Sequence, residues 1–473
     1  MSSILLTHAY FLNEDPREKE IMKPYSPLGI LYISAYLEEH GFENDVYDST
    51  FSSFEKLSAE ILKVQPRIIG IYTNLMTKIN VLRLIRFVKE HPSLKNCRVI
   101  LGGPEVKNHA ENFLKYGADV LVVGEGEETM LELVRLFSTD NITRGDEKLK
   151  LEEIPGIAFL KTDNSLIITP GRALLKDMDQ LPFPNRKKIR LENYFEAWRS
   201  RHGASAISVS TMRGCPYTCK WCSRAVYGQS YRRRSPGKVV EELKILRKNY
   251  AFDTIWFVDD VFSISHKWLE EFRNEVVKAG LEIRYECITR ADRMNEEVIR
   301  MLKESGCFRV WIGAESGSQK IIDAMDRRVK VEQVRDMIQL SKSMGLETGT
   351  FIMVGYPGET ETDIEATIEH LKISDPDLYT ITVAYPIKGT PLYQETEADF
   401  INPPLWETAT DREIDFKRTY SRRYYDFAIR RVYNEVAAFK LRKSGRGGNL
   451  LLTKLKLKSI LAKSGMLWER SFR

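Results

Sequence analysis

Three cysteines fall within eight residues of one another, in Arg213-Gly214-Cys215-Pro216-Tyr217-Thr218-Cys219-Lys220-Trp221-Cys222. The spacing is CxxxCxxC. Three thiolates on one short loop can each take a different iron of a cubane cluster. No fourth ligand is close: the nearest histidine is His202, thirteen residues before Cys215, and the next cysteine is Cys287. One iron would then keep an open coordination position, where chemistry can occur. A structural zinc site is the plainer alternative, but it calls for four protein ligands. The other three of the six cysteines, Cys97, Cys287 and Cys307, are scattered and read as small core residues. In a long chain such a cluster points to metal ligation in a reducing compartment, not to a disulfide framework.

A loop of this kind has to be positioned by regular structure. It follows an apolar run, 206–211 (AISVST), that reads as a strand. Five more strand runs follow, each leading into polar or glycine-rich residues. They are 254–258 before Asp259-Asp260, 282–288 before Thr289-Arg290, and 308–312 before Gly313-Ala314-Glu315-Ser316. The last two are 347–354 before Gly355-Tyr356-Pro357-Gly358-Glu359, and 378–383 before Ala384-Tyr385-Pro386. Helical periodicity fills the gaps at 238–249, 267–279, 296–305, 331–344 and 361–373. Repeated strand–helix units imply a parallel barrel or part of one. Polar residues at the strand C-termini then converge on one face.

The first third alternates in the same way. Strand runs at 4–6, 45–47, 67–72, 98–101 and 119–123 are separated by helical stretches at 28–39, 54–64 and 78–90. This predicts a mostly parallel sheet covered on both faces. Ligands of such sheets bind beyond the carboxyl ends of the strands. Those ends carry Thr73-Asn74, Gly102-Gly103-Pro104 and Gly124-Glu125-Gly126-Glu127. Glycine lets a backbone approach a flat ligand closely, or it merely shapes a turn; spacing alone leaves both open. Neither GxGxxG after the first strand nor GxxxxGK[ST] is present, so a dinucleotide or P-loop site is not expected.

The cysteine loop, with an aromatic before its last cysteine and after a first barrel strand, resembles the radical S-adenosylmethionine (SAM) superfamily over roughly 206–393. The preceding region is similar to the cobalamin-binding domains found in a subset of those enzymes. That likeness rests on Pro27-Leu28-Gly29, Thr73, Gly102-Gly103-Pro104 and Gly124-Glu125-Gly126-Glu127. Together they resemble the group that includes the anaerobic magnesium-protoporphyrin IX monomethyl ester cyclase and cobalamin-dependent radical methylases. The resemblance implies an α/β fold: a Rossmann-like cobalamin-binding domain with linker over 1–185, a partial (β/α)6 TIM-type barrel over 186–395, and a mostly helical, basic region over 396–473.

The resemblance also implies roles. Cys215, Cys219 and Cys222 would hold a 4Fe-4S cluster whose fourth iron chelates SAM, and reductive cleavage would give a 5′-deoxyadenosyl radical. Trp221 would line the adenine pocket, with simple packing as its alternative. Glu315 and Ser316 would hydrogen-bond the ribose. Arg290 would pair with the SAM carboxylate, or form a structural ion pair with Asp292. Gly355 and Gly358 would let SAM approach the backbone, and Tyr385 would contact adenine. Pro27, Gly29, Thr73, Gly102, Gly103, Pro104, Gly124, Glu125 and Gly126 would surround cobalamin. The DxHxxG motif that supplies a histidine to cobalt is missing: His8, His40, His91 and His109 lack the flanking Asp and Gly.

C-methylation of an unactivated carbon is the leading expectation, and oxidative cyclisation the alternative. A methylthiolating enzyme would need three more cysteines early in the chain, where only Cys97 stands. A non-catalytic iron–sulfur or cobalamin sensor is the reading from a different class. The expected partners are a small-molecule substrate, such as a lipid, tetrapyrrole or other natural product, and an electron donor such as flavodoxin or ferredoxin.

Composition sets bounds on the rest. The 473 residues are 43% hydrophobic and 29% charged, the balance of an ordinary globular protein and not of collagen, a mucin or a disordered chain. No apolar run reaches the roughly 18 residues needed to span a bilayer. The N-terminus lacks a basic segment followed by a long apolar one, so a signal peptide is not expected, and the expected compartment is the cytoplasm. The net charge is +5, yet residues 440–473 hold ten Lys and Arg against Glu469 alone, leaving −4 elsewhere. The basic character is a tail, and nucleic acid is not an expected partner. Residues 411–439 mix arginine with tyrosine and read as a helix whose aromatics pack on the domain. Arg446-Gly447-Gly448-Asn449 reads as a flexible break. The Leu/Lys-rich 450–463 suggests peripheral contact with the inner face of a membrane, although its lysines spread round a helical wheel.

Overall fold

The computed structural model describes residues 3–139, 144–445 and 448–471. Two compact units divide the chain. The first is Met1–Cys215 with Ser223–Thr254 and Leu405–Thr410; the second is Pro216–Cys222 with Ile255–Pro404 and Asp411–Arg473. The division passes through the cysteine loop.

The first unit is built on strands β1 (Ile4–Thr7), β2 (Asp45–Val46), β3 (Ile68–Tyr72), β4 (Arg98–Gly102), β5 (Val120–Val122), β6 (Ile157–Leu160) and β7 (Leu166–Ile168). Their order in the sheet is β2-β1-β3-β4-β5-β6-β7. The first five pair in parallel, as the alternation of strand and helix predicts. The last two add on as antiparallel strands. Successive side chains of a strand point to opposite faces. Leu5, Ile69, Val99, Leu101 and Leu121 enter one buried cluster, and Ile4, Leu6, Ile68, Ile100 and Val120 the other. The sheet is thus apolar on both faces, which is why its strands read as continuous hydrophobic runs. Helices Leu28–Glu39, Phe54–Val64 and Lys78–Glu90 form where the periodicity put them. The register pairs Tyr72 with Gly102 and Gly102 with Val122. The turns leaving β3, β4 and β5 therefore start level with one another.

This unit also holds β8 (Ala206–Val209), β9 (Met212–Arg213) and β10 (Arg232–Arg233); the last two pair antiparallel. Thr254, which opens β11 (Thr254–Phe257), donates its N–H to the carbonyl of Ser205, just before β8.

In the second unit, β11, β12 (Tyr285–Thr289), β13 (Cys307–Glu315), β14 (Glu347–Val354) and β15 (Leu378–Val383) are parallel neighbours in chain order. Helices His266–Lys278, Glu296–Glu304, Val331–Ser343 and Glu361–Ser374 connect them. The strand–helix repeat expected from the sequence is present, with one notable boundary shift. β13 runs on to Glu315, and its register against β14 breaks between Gly313 and Glu315. Glu315 has φ 65°, a left-handed conformation uncommon for a non-glycine residue. Helices Arg422–Ser444 and Asn449–Ser471 close the chain. Tyr424 and Tyr425 are buried, as expected for aromatics packing on the domain. The expected break at 446–449 lies partly outside the described residues. No described helix is long and apolar enough to cross a membrane.

Candidate active site

In the second unit the loop 216–222 is tied down by hydrogen bonds at Thr218 and Lys220. Lys220 donates its N–H to the carbonyl of Met325 (3.1 Å) and accepts from Leu392 N–H (3.0 Å). Cys222 N–H donates to Cys219 O at 3.3 Å, turning the loop back on itself. Thr218 donates its hydroxyl to Asp326. Trp221 lies against a buried cluster of Ile321, Met325, Tyr356, Ala384 and Leu392. That cluster includes the residue after Gly355 and the residue before Tyr385. Three motifs scattered over the sequence come together through apolar packing. Cys219 is buried and Cys222 exposed; Cys215, in the first unit, is half-buried.

Two guanidinium groups converge on the sulfur of Cys219. Arg290 places Nη1 at 3.9 Å and Arg327 places Nη1 at 3.7 Å. Arg290 is buried, with Tyr217 stacked over it at 3.7 Å. Its Nε and Nη2 donate to the carboxylate of Asp292 at 2.8 and 3.2 Å, and Nη2 also donates to Arg327 O at 2.8 Å. The bidentate fork thus engages Asp292, the alternative recognised in the sequence. Arg327 was not singled out by sequence. Its Nη2 donates to Gly313 O at 3.1 Å, and its Nε is buried without a hydrogen-bond partner. Burial works against its charge, but Glu315 and the Cys219 sulfur outweigh that and raise its pKa. No signal in the sequence marks it: it stands two residues after Met325, whose carbonyl the cysteine loop meets only in the fold.

Glu315 sits 3.8 Å from Arg327, an ion-pair distance but not a hydrogen bond. Burial raises its pKa above the usual carboxylate range, despite Arg327 and Arg290 nearby. Ser316 is turned inward: its hydroxyl meets Thr367 Oγ1 at 3.3 Å and accepts from Ser318 N–H. Gly355 N–H donates to Glu359 Oε2 at 2.6 Å. Glu359 is fully buried, which pushes its pKa up to about 8 in spite of that bond. Gly358 accepts from Lys320 Nζ at 2.7 Å. Tyr385 is half-buried beyond β15. Arg418, far beyond the barrel pattern, donates to the carbonyl of Ala384 at 2.7 Å. Sequence reading gave it no role.

In the first unit the level turns after β3 and β4 are locked together. Thr73 N–H donates to Gly102 O at 2.7 Å. Gly103 has φ 109°, and a Cβ there would collide with the Thr73 carbonyl oxygen. Glycine is thus required by close backbone approach as well as by conformation. Thr73 Oγ1 is buried without a hydrogen-bond partner at this edge. Pro27 precedes the helix that starts at Leu28, and a Cβ on Gly29 would meet open space. Pro104 and Gly126 are half-buried in the turns.

The turn after β5 does something the sequence did not announce. Glu125 accepts from Arg213 Nη1 (2.8 Å), from Arg232 Nη1 (2.7 Å) and from Leu175 N–H (3.0 Å). Glu127 accepts from both terminal nitrogens of Arg213. Tyr32 and Tyr227 flank the same guanidinium. Burial opposes charge on Glu125, yet Arg213 and Arg232 hold its pKa below the usual range. The Glu125 carboxylate, read from sequence as a cofactor contact, engages the residue two positions before Cys215. Gly214 follows with φ 83°, where a Cβ would strike Ser230. Gly124, φ 98°, opens the turn.

Among the described residues, no three His, Cys, Asp or Glu converge on a position for one metal ion. Cluster cysteines have no need to, because each binds a different iron. His8 pairs with Asp48 at 3.0 Å, and His109 stacks on Trp406. Cys97, Cys287 and Cys307 are buried, as core residues should be.

A family model for the radical SAM superfamily matches residues 209–371, and one for the B12 binding domain matches 20–134. An uncharacterized methyltransferase of Pyrococcus horikoshii, PH0819, is 31% identical over 379 residues, covering 78% of each chain. The chain belongs to the radical SAM enzymes that carry a B12-binding domain. The anaerobic magnesium-protoporphyrin IX monomethyl ester cyclase of Rubrivivax gelatinosus is 25% identical over 411 residues, 83% of this chain and 72% of that one. The fold matches that of the radical SAM methyltransferase TsrM from Kitasatospora setae, whose structure has cobalamin and a [4Fe-4S] cluster bound. The TM-score is 0.70 at 15% identity, over 93% of this chain and 89% of the other.

The cofactors of this radical SAM enzyme are accordingly a 4Fe-4S cluster, SAM and cobalamin. The residues present fit them. Three cysteines at the spacing CxxxCxxC supply the donor set of a site-differentiated cluster. The unpartnered Nε of Arg327 suits an anionic neighbour. The buried, unpartnered hydroxyl of Thr73 beside the glycine-lined turns suits a large polar ligand at the carboxyl edge of the first sheet.

Proposed function

We propose that this enzyme C-methylates an unactivated carbon of a small molecule, in the cytoplasm, with flavodoxin or ferredoxin as electron donor. The observation that carries the reading is the bonding of Arg213 to Glu125 and Glu127. It fastens the approach to the cysteine loop onto a ligand-edge turn of the B12-type sheet, so one chain is built around a methyl carrier and a radical generator together. When bound, the cluster supplies the electron that cleaves SAM to a 5′-deoxyadenosyl radical, and cobalamin supplies the methyl group.

The chain's own residues hold and shield these groups. Cys215, Cys219 and Cys222 bind the cluster. Arg290 and Arg327 place positive charge against the Cys219 sulfur, which favours added negative charge there. Trp221, packed against the cluster that holds Tyr356 and Ala384, covers the adenine side and excludes water. Glu315 accepts from the ribose hydroxyls, while Gly355, Gly358 and Tyr385 frame the same mouth. Ser316 supports the turn from within. Pro27, Gly29, Thr73, Gly102, Gly103, Pro104, Gly124 and Gly126 surround cobalamin, with Glu125 positioning Arg213. We assign 1–185, 186–395 and 396–473 as the cobalamin-binding domain with linker, the barrel and the C-terminal region. Substrates of the lipid or tetrapyrrole class suit relatives of this kind.

The test is the product pattern of reduced, cobalamin-loaded enzyme with methyl-labelled SAM and candidate substrates. Methylation yields 5′-deoxyadenosine together with S-adenosylhomocysteine and a labelled product. Deoxyadenosine without S-adenosylhomocysteine would favour oxidative cyclisation, the reaction of the cyclase relative. Neither product would favour a sensor.

A further inference from the structure

Helix Asn449–Ser471 is apolar on two sides, one buried against the preceding helix and the other exposed. Its inner side is fixed by several independent contacts. A Cβ on Gly465 would strike the Phe427 ring, so the two terminal helices meet closely there. Ser459 donates to Glu435 at 2.6 Å and accepts from Arg431. Ser421 donates to Glu469 at 2.9 Å, and Arg470 Nη1 donates to Glu361 at 3.3 Å. Ala462 and Met466 are buried on this side. Rotation about the helix axis is therefore set.

That rotation leaves Leu450, Leu457, Leu461 and Trp468 on the opposite side. At 100° per residue they fall within about 40° of one another. Their exposures are 86%, 56%, 69% and 64%, and Ile460 beside them is 59% exposed. An apolar stripe of this length on a surface marks an interaction site. Lys454 and Lys458 border it on one flank and Lys456 on the other, all exposed. A helix apolar on two sides shows no single amphipathic face, which is why the pattern is not clean in the sequence.

We propose that this stripe lies on an anionic bilayer surface, with the leucines and Trp468 in the headgroup–acyl boundary and the lysines against the headgroups. The flanking charge selects this occupant. Residues 440–473 hold ten basic residues and one acidic one, so a second copy docked on this face would bring like charge against like. An anionic leaflet complements it, each lysine near the surface strengthening binding roughly fivefold. Tryptophan favours the membrane interface, and no described helix is suited to crossing it. The proposal does not depend on the reaction assigned above, since no substrate is involved.

Flotation of the anaerobically reconstituted full-length protein tests it. Vesicles of phosphatidylcholine alone and of phosphatidylcholine with phosphatidylglycerol are compared at low and high salt. The protein should rise with the anionic vesicles only, and salt should weaken the association. The double variant Leu457→Glu/Leu461→Glu alters exposed residues only, and its thermal unfolding should match the parent. It should lose at least about tenfold in partitioning. A parent protein that stays with the dense fraction, binds neutral vesicles as well, or floats equally as the variant overturns the proposal. So does a concentration-dependent dimer, seen by sedimentation, that the double variant abolishes while neither form floats.

Discussion

Two arginine-rich clusters engage the cysteine segment, at Arg213 in the first unit and at Cys219 in the second, and they are built differently. At Arg213 the charges are closed: both carboxylates accept from guanidinium groups at hydrogen-bond distance. At Cys219 they are open. Glu315 stays 3.8 Å from Arg327, Arg327 Nε has no partner, and two Nη1 groups face a sulfur. A closed buried network fixes geometry, because removing one member strands the others. An open one keeps positive charge for an anionic group to meet. The contrast assigns scaffolding to the first cluster and chemistry to the second.

Substitutions can break that contrast. The largest effect is expected at the ligands themselves. Cys219→Ala should abolish the cluster's absorption and reduce deoxyadenosine formation at least about a thousandfold, with little change in the far-ultraviolet circular dichroism. Arg213→Met should instead act on folding, lowering unfolding free energy by about 3–5 kcal/mol in urea titrations and with it cluster retention. A variant as stable as the parent would remove Arg213 from its scaffolding role.

Arg327→Gln should leave stability nearly intact. It should weaken SAM cleavage by roughly ten- to a hundredfold, the scale of one charge-assisted hydrogen bond, and shift the cluster's reduction potential downward. Arg327→Lys should recover part of the potential. An unchanged potential would reduce Arg327 to packing.

A pH-dependent effect is expected at Glu359. Its folded pKa, about 8, lies above its ordinary value. The native state therefore holds this proton more tightly than the unfolded chain. Stability from this group is fully present below the ordinary carboxylate pKa and is lost as pH rises towards 8, by at most about 1.4 kcal/mol per pH unit. Glu359→Gln should flatten that slope between those limits in pH-dependent thermal melts. An unaltered slope would exclude Glu359 as its source.

The difference between the clusters also explains what could be read from the sequence. The three cysteines were legible because ligands on one loop must be close in the chain. The strand–helix alternation was legible because burial on both sheet faces leaves long apolar runs. Arg327 was not, since the sulfur it faces is 108 residues away and a lone arginine after a helix carries no pattern. Glu125 was assigned to a ligand because it stands in a glycine-rich turn at the expected edge. The arginine that its carboxylate also engages, Arg213, lies 88 residues on. Ser316 follows Glu315 in the sequence, but its hydroxyl engages Thr367 and Ser318, partners that adjacency to Glu315 does not reveal. The antiparallel pair β6 and β7 lies beyond the repeat that made the earlier strands visible.

The central claim is that this one chain holds both a corrin and a four-iron cluster. The direct measurement is anaerobic reconstitution with hydroxocobalamin present, followed by desalting, absorption spectroscopy and assay of iron, sulfide and retained corrin. Near-stoichiometric corrin with one four-iron cluster per chain is the expected result. A cluster without corrin would contradict the claim, and methyl transfer through cobalt would fall with it.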